Sequence, residues 1–220
     1  IGKANNAVNM AVSLTRQLLT YTGKEYVQVE AVNLNELVQK NVRLFEASLA
    51  HSITLHLALA ERLPTIDAGI SQFQQLLMSL VINAAEAIYP NPGQITISTH
   101  FVEVSEAELA EYIDGKNLRA GPYVGLEIND NGRGMDAATQ AHIFEPFFST
   151  KPHGYGLGLS AALGIIRAQR GAVRVQSAPG KGAQFRLLFP VGKLQPQSAF
   201  DDAAPDGTTT TVLLIDNEKL

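Results

Sequence analysis

Three groups of residues in this chain have side chains and a spacing that could do chemistry. The first is Asp130, at the head of Asp130-Asn131-Gly132-Arg133-Gly134-Met135. It follows an apolar alternation through Val124, Leu126 and Ile128 and falls on the same parity, so it continues a core face. A carboxylate in that position needs a partner, because burying a bare charge is costly. The amino group of an adenine is one such partner. A turn or capping aspartate is the other reading, since residues 129–132 are rich in turn formers, and the residues alone leave the two open. A calcium loop, whose first half Glu127, Asn129, Asn131 and Gly132 mimic, is excluded because its bidentate acid would fall on Ala138.

The second group is Ser79, Asn83 and Glu86, at i, i+4 and i+7, along one edge of a helical pattern. Such an edge is either a solvated stripe or a row of oxygens facing a cation. An Asn carbonyl oxygen suits Mg2+, a hard ion that keeps most of its waters. The third group is Gly154, Gly156 and Gly158, which alternate just before an apolar helix over residues 159–170. Glycines there leave backbone N–H groups free to meet phosphate oxygens at a helix N-terminus, or make a hinge, and both can hold. Lys151 is the nearest cation, placed for terminal phosphates or for solvent. No Gly-Lys-Ser/Thr follows, so this is not a Walker loop. No strand leads directly into the glycines, so it is not the dinucleotide fingerprint either.

The elements that must position these residues are legible in part. An apolar stripe through Ile70, Phe73, Leu76, Leu77, Leu80, Val81, Ala84 and Ile88 predicts a helix over residues 67–89. Another helix starts at Asn33, where Asn33 and Glu36 have capping-box spacing. Strands are expected at 53–59, 94–104, 123–130, 172–177 and 184–189, the last two joined by a glycine turn. Residues 105–121 read as a polar excursion between hairpin strands. Helices and strands in this order give an α+β two-layer sandwich with a mixed sheet. Residues 130–159 are too long for an ordinary loop. They carry Ile143, Phe144, Phe147 and Phe148, so we read them as a mobile lid over a nucleotide.

Composition narrows the class. Of 220 residues, 45% are hydrophobic, which suits one good-sized domain with extensions. The net charge of −4, without a long basic run, argues against nucleic acid as a partner. The absence of cysteine excludes disulfides and thiolate metal sites and is compatible with a cytosolic compartment. No apolar run approaches the length of a membrane span. The chain does not open on Met, and we read it as part of a longer protein. Residues 1–22 have a helical stripe through Ile1, Ala4, Val8, Ala11, Thr15 and Leu18, and residues 23–32 read as a linker. Residues 191–210 lack periodicity and read as a second linker. Residues 211–215 form a buried-type strand followed by Asp216 and Glu218.

Four stretches in order now resemble the catalytic ATP-binding domain of sensor histidine kinases, in the superfamily shared with gyrase-type topoisomerases and some chaperones. Asn83 in SLVINAAEAI resembles the N box, DNGRGM the first glycine box, IFEPFFSTK the F box, and GYGLGL the second glycine box. The resemblance covers residues 33–190 and implies the Bergerat-type fold, with helices on one face of the sheet and a long ATP lid. It implies ATP and Mg2+ as ligands, with Asn83 holding the metal and Asp130 reading the adenine amino group. It places Ala87, Gly132, Gly134 and Met135 around the adenine. Gly154, Tyr155, Gly156, Leu157, Gly158 and Leu159 would surround the phosphates, with Lys151 near the γ-phosphate. Phe144 and Phe147 would anchor the lid.

The same resemblance makes residues 1–22 the end of a dimerisation and phosphoacceptor hairpin. It makes residues 211–220 the first strand of a receiver domain, with Asn217 where two consecutive acids are usual. The expected protein is therefore a hybrid sensor kinase that transfers the γ-phosphoryl of Mg-ATP to a histidine on the hairpin. It would be homodimeric at full length and cytoplasmic in this part. Its partners would be the hairpin, in cis or in trans, and a receiver domain or response regulator. None of the five histidines (His51, His56, His100, His142, His153) has the context of an acceptor. Ser79 stands where hydrolysing relatives carry a water-activating glutamate, which favours transfer over hydrolysis; the alternatives are an ATPase of the same fold and a degenerate non-catalytic binding domain, the latter opposed by the intact glycines and Asp130. Glu86 stands where a basic residue is common, and Ala183 where a threonine often lies near the adenine. The lid between Lys151 and Gly154 is short.

Overall fold

The computed structural model describes residues 28–151 and 155–193. The expected helix at residues 1–22, the strand at 211–215 and the phosphate contact at Gly154 lie outside these residues. Alternation builds a five-stranded mixed sheet from β2 (Ile53–Ala58), β4 (Gly93–Val104), β5 (Gly121–Asp130), β6 (Ala172–Ser177) and β7 (Ala183–Pro190). Its order is β2-β4-β5-β7-β6, with β2 parallel to β4 and every other pairing antiparallel. β5 therefore lies in the middle. Its inward residues Val124, Leu126, Ile128 and Asp130 are all buried. Register sets Ile95 and Ala183 on either side of Asp130.

The inward face is covered by α1 (Leu34–Ser48), α2 (Ile70–Ile88) and α5 (Gly158–Ala168), giving the expected two-layer α+β architecture. Helix α2 buries Phe73, Leu76, Leu77, Leu80, Val81, Ala84 and Ile88 against the sheet, and its opposite edge stays free for polar residues. Asn33 caps α1, its Oδ1 accepting from the N–H groups of Asn35 at 2.9 Å and Glu36 at 3.4 Å. The other half of the expected capping box is replaced: Glu36 faces Lys40 at 3.6 Å, the i+4 cation on its own helix. No helix among the described residues is long and apolar enough to cross a membrane.

Three boundaries differ from expectation, and long-range pairing is the reason each time. The helix expected from residue 67 starts at Ile70, because Ile66–Ala68 is a strand, β3. It pairs antiparallel with β1 (Glu30–Val32), inside the stretch read as a linker. Residues 191–193, read as the start of the second linker, are also tied down. Val191 bridges Ile66, Gly192 N–H donates to Thr65 O at 2.7 Å, and Lys193 N–H donates to Asp67 Oδ2 at 3.0 Å. Just beyond β3, the Gln169 amide joins the end of α5 to the start of α2. Its Oε1 accepts from Gly69 N–H at 3.1 Å and its Nε2 donates to Gln72 Oε1 at 2.7 Å, all within the core.

The excursion between β4 and β5 is ordered. Ser105 and Glu108 form a reciprocal capping box for α3 (Glu106–Leu109), and Gly115–Asn117 makes a 3₁₀ turn. Leu109 packs with Val104, Tyr123 and Leu188 in a second small cluster. Ile113 then forms a two-way backbone bridge with Val173 of β6, at 2.8 and 3.2 Å.

Candidate functional site

At the end of β5 opens a cavity of about 940 Å3, lined by α2, the turn after β5, the lid and the start of α5. Its size fits a drug-sized or nucleotide ligand, for which roughly 300–1,000 Å3 is usual. Asp130 stands in its wall and is 9% exposed. The turn reading of this residue is realised, and its place in the wall leaves it open to a ligand. Its Oδ1 closes a turn by accepting from Gly132 N–H at 2.9 Å, and it also accepts from Ala183 N–H at 3.3 Å. Among the described residues nothing donates to its Oδ2. Burial pushes the carboxyl above its usual range, against the opposing pull of those two N–H groups and of Lys151. A half-satisfied, nearly buried carboxylate facing a cavity is an acceptor for a ligand's N–H.

Two turns frame it. The turn after β5 and the β6–β7 turn lock together through Gly180 N–H to Arg133 O at 2.7 Å. Ser177 completes the lock, accepting from Met135 N–H at 2.9 Å and donating to Gly182 O at 2.6 Å. Gly182 (φ +73°) lies directly on the Asp130 carbonyl, and Gly134 (φ +65°) on that of Ala178, so neither position admits a side chain. Gly132 does not line the cavity. It lets the chain pass the Ala87 carbonyl, which a Cβ would meet at 2.6 Å, and Arg133 N–H donates to that carbonyl at 3.0 Å. Ala87 and Met135 do line the cavity. Ser177 carries no sequence signal beyond its place at a strand end.

Ser79, Asn83 and Glu86 share one edge of α2 as their spacing predicts, and the structure turns that edge to the cavity, with all three in the wall. Lys151, reaching in from the lid, donates from Nζ to Asn83 Oδ1 at 3.1 Å and forms an ion pair with Glu86. Ser79 Oγ donates to Gly158 O at 3.0 Å and so ties α2 to the first turn of α5. Tyr155, Gly156, Leu157, Gly158 and Leu159 line the same end. Gly156 has a further role: at φ +65° it lies against the backbone of Phe147 and Phe148, where a Cβ would meet Phe148 N at 2.6 Å. Among the described residues no group of three or more His, Cys, Asp or Glu could hold a metal alone. A cation here would need Asn83 together with a ligand's own oxygens.

The lid carries a short helix, α4 (Ala137–His142), capped by Asp136, whose Oδ1 accepts from Thr139 N–H at 2.7 Å. Expectation needs correction at Phe147. The residue is 70% exposed, and among the described residues its hold is through the backbone, N–H to Gly156 O at 2.9 Å. Its φ of +68° turns the chain so that the next residue faces inward. Ile143 is buried, and Phe144 and Phe148 pack against the core, so these three anchor the lid.

Comparison with known proteins agrees with this geometry. Residues 69–193 match the family described as "Histidine kinase-, DNA gyrase B-, and HSP90-like ATPase". The sensor kinase CckA of Brucella abortus (strain 2308) is 33% identical over 96% of this chain and 23% of its own length. The signal transduction histidine-protein kinase AtoS of Escherichia coli (strain K12) is 34% identical over 80% of this chain and 26% of its own. The chain thus spans about a quarter of these two relatives. Among solved structures, full-length ShkA in complex with AMPPNP superposes with a TM-score of 0.66 at 22% identity, over 85% of this chain and 37% of that one. The catalytic domain of the histidine kinase ThkA, in a nucleotide-free form, gives 0.60 at 24%, over 76% of this chain and 97% of that one. With the family matched over more than half its length and its fold reproduced, this chain belongs to the histidine kinase-, DNA gyrase B- and HSP90-like ATPase family, as an ATP-binding domain of the kind that sensor histidine kinases carry.

Proposed function

We propose that this chain binds Mg-ATP and serves as the catalytic domain of a hybrid sensor histidine kinase, presenting the γ-phosphoryl group to a histidine on a dimerisation hairpin. The observation that carries this reading is the Asp130 carboxylate, fixed through Oδ1 and left with Oδ2 for an N–H donor in the cavity wall. An adenine amino group supplies that donor. The residues fit a metal-bound triphosphate as well: Asn83 Oδ1 already faces a positive charge, the Lys151 ammonium. Asn83 would hold Mg2+. The ion would supply charge neutralisation on the phosphates.

The remaining work falls to the chain. From their places in the cavity wall, Asp130 would fix the base, Gly156 and Gly158 would keep backbone close to the phosphate end, and Lys151 would meet the terminal phosphate from the lid. No acidic side chain takes the place of Ser79, whose hydroxyl is engaged with Gly158 O. The site therefore lacks a base to activate water at that position, and transfer rests on positioning and charge. This disfavours an ATPase of the same fold, and the intact acceptor at Asp130 disfavours a non-catalytic binding domain. The acceptor hairpin, in cis or in trans, and a receiver domain or response regulator are the partners this reading assigns, in a homodimeric protein whose catalytic part is cytoplasmic.

The test is calorimetric titration with a non-hydrolysable ATP analogue, with and without Mg2+. Mg2+-dependent binding that is lost in Asn83→Ala is expected. Binding that ignores Mg2+ overturns the metal assignment, and no binding in either condition overturns the nucleotide reading.

A further inference from the structure

The Lys151–Asn83–Glu86 contact is not explained by nucleotide binding. In the structure the ammonium sits on Asn83 Oδ1, at 3.1 Å, which is the oxygen assigned to the metal, and is held there by Glu86. Asn83 and Glu86 are i and i+3 on α2, so their oxygens converge on one point above the helix. Two cations cannot share that point, because their repulsion grows as the inverse of separation. We propose that Glu86 is a positioning residue for the divalent cation, and that Lys151 is the cation's internal stand-in, displaced toward the phosphates when the metal enters. The inference rests on the Mg-ATP reading and goes beyond it in giving Glu86 and Lys151 coupled roles.

The chemistry supports an outer-sphere role. Glu86 is 53% exposed on its side chain, so water reaches it and it would meet the ion through water. Mg2+ gives up its waters reluctantly and is commonly held through them. In the resting site the Lys151 charge balances Glu86. Once Lys151 leaves for the phosphates, the carboxylate stands beside anionic groups, and a cation between them relieves the repulsion. A carboxylate where a phosphate contact is expected of a base is thereby turned to use. It makes nucleotide binding more dependent on metal, since without metal Glu86 repels the phosphates.

The test compares the affinity for a non-hydrolysable ATP analogue at saturating Mg2+ with that in chelator, for the wild type, Glu86→Gln, Lys151→Met and the double variant. Thermal melting checks that each is folded. Glu86→Gln is expected to weaken Mg2+-supported binding, strengthen metal-free binding, and shrink the ratio of the two by roughly tenfold, the low end for partners in an outer shell. Lys151→Met is expected to enlarge the ratio. Glu86→Gln must shrink it in the Lys151→Met background too. If it does not, Glu86 acts only as the lysine's partner and the proposal fails. An unchanged or smaller ratio in Lys151→Met sinks the displacement. A wild-type chain that binds the analogue without Mg2+ dependence, or not at all, defeats the Mg-ATP reading itself, a different result from either.

Discussion

Asp130 is costly to the empty protein and useful to the loaded one. Its raised pKa means that the folded chain holds the proton more tightly than the unfolded chain. The cost of the ionised form is present in full above the folded pKa, and it disappears as pH falls below the unfolded value of about 4. Asp130→Asn removes that cost. The nucleotide-free variant is expected to melt no lower than wild type at neutral pH, with any advantage shrinking toward acid. Its amide oxygen can keep the two N–H groups that Oδ1 now accepts, which turns the NH2 toward the cavity. Donor then meets the adenine donor. Loss of a hydrogen bond to a charged acceptor, worth about 1.5–3 kcal/mol, predicts at least roughly tenfold weaker ATP binding by calorimetry. Wild-type affinity should also fall as pH drops through the raised pKa. The parity that placed Asp130 on the core face was legible in sequence. That one oxygen would close a turn while the other stayed open was not, because Ala183 comes from a strand 53 residues away.

At the scale of elements, the lid separates what aromatic spacing can reveal from what it cannot. Phe144, Phe147 and Phe148 are equally apolar in sequence, and the positive φ at Phe147 decides which ring points inward. Phe148→Ala is expected to destabilise by about 2 kcal/mol, less than the roughly 3–5 kcal/mol of a fully buried phenylalanine because the ring is only half-buried. It should also weaken nucleotide binding, since Phe148 lines the cavity. Phe147→Ala should stay within about 0.5 kcal/mol, as exposed positions do. Denaturant unfolding of the two variants checks the order, and equal losses would mean that both rings are buried in solution. The alternating glycines were legible for the same kind of reason and within the same limit. Gly156 accommodates the neighbouring backbone of Phe147 and Phe148, a contact that spacing does not announce.

For the whole molecule, the sheet and its three covering helices were readable from hydrophobic period, whereas β1 and β3 were not. Three-residue strands have too few residues to show a period, and their partners lie far away in sequence. Together with residue 191 they bring the chain's entry into the domain and its exit to one strip beside the start of α2. Ending the chain after Pro190 removes the Gly192 and Lys193 hydrogen bonds to this strip. At about 0.5–1.5 kcal/mol each, a stability loss of roughly 1–3 kcal/mol is expected. Hydrogen exchange should show faster amides at Glu30–Val32 and Ile66–Ala68, and unchanged protection there would mean that the exit is not coupled to the entry.

The bridge between Ile113 and Val173 bears on how this domain behaves in a crowd. An open sheet ends in strands whose outward N–H and C=O groups can pair with any other extended chain. On the β6 side, Ile113 already satisfies both outward groups of Val173, and the excursion that carries it lies across that margin. A second copy approaching this edge finds its hydrogen-bonding register already taken at Val173, the second of the strand's six residues. Growth of the sheet from one domain into the next is hindered at that end of β6. An encounter along this margin is thereby turned from backbone pairing toward side-chain contact.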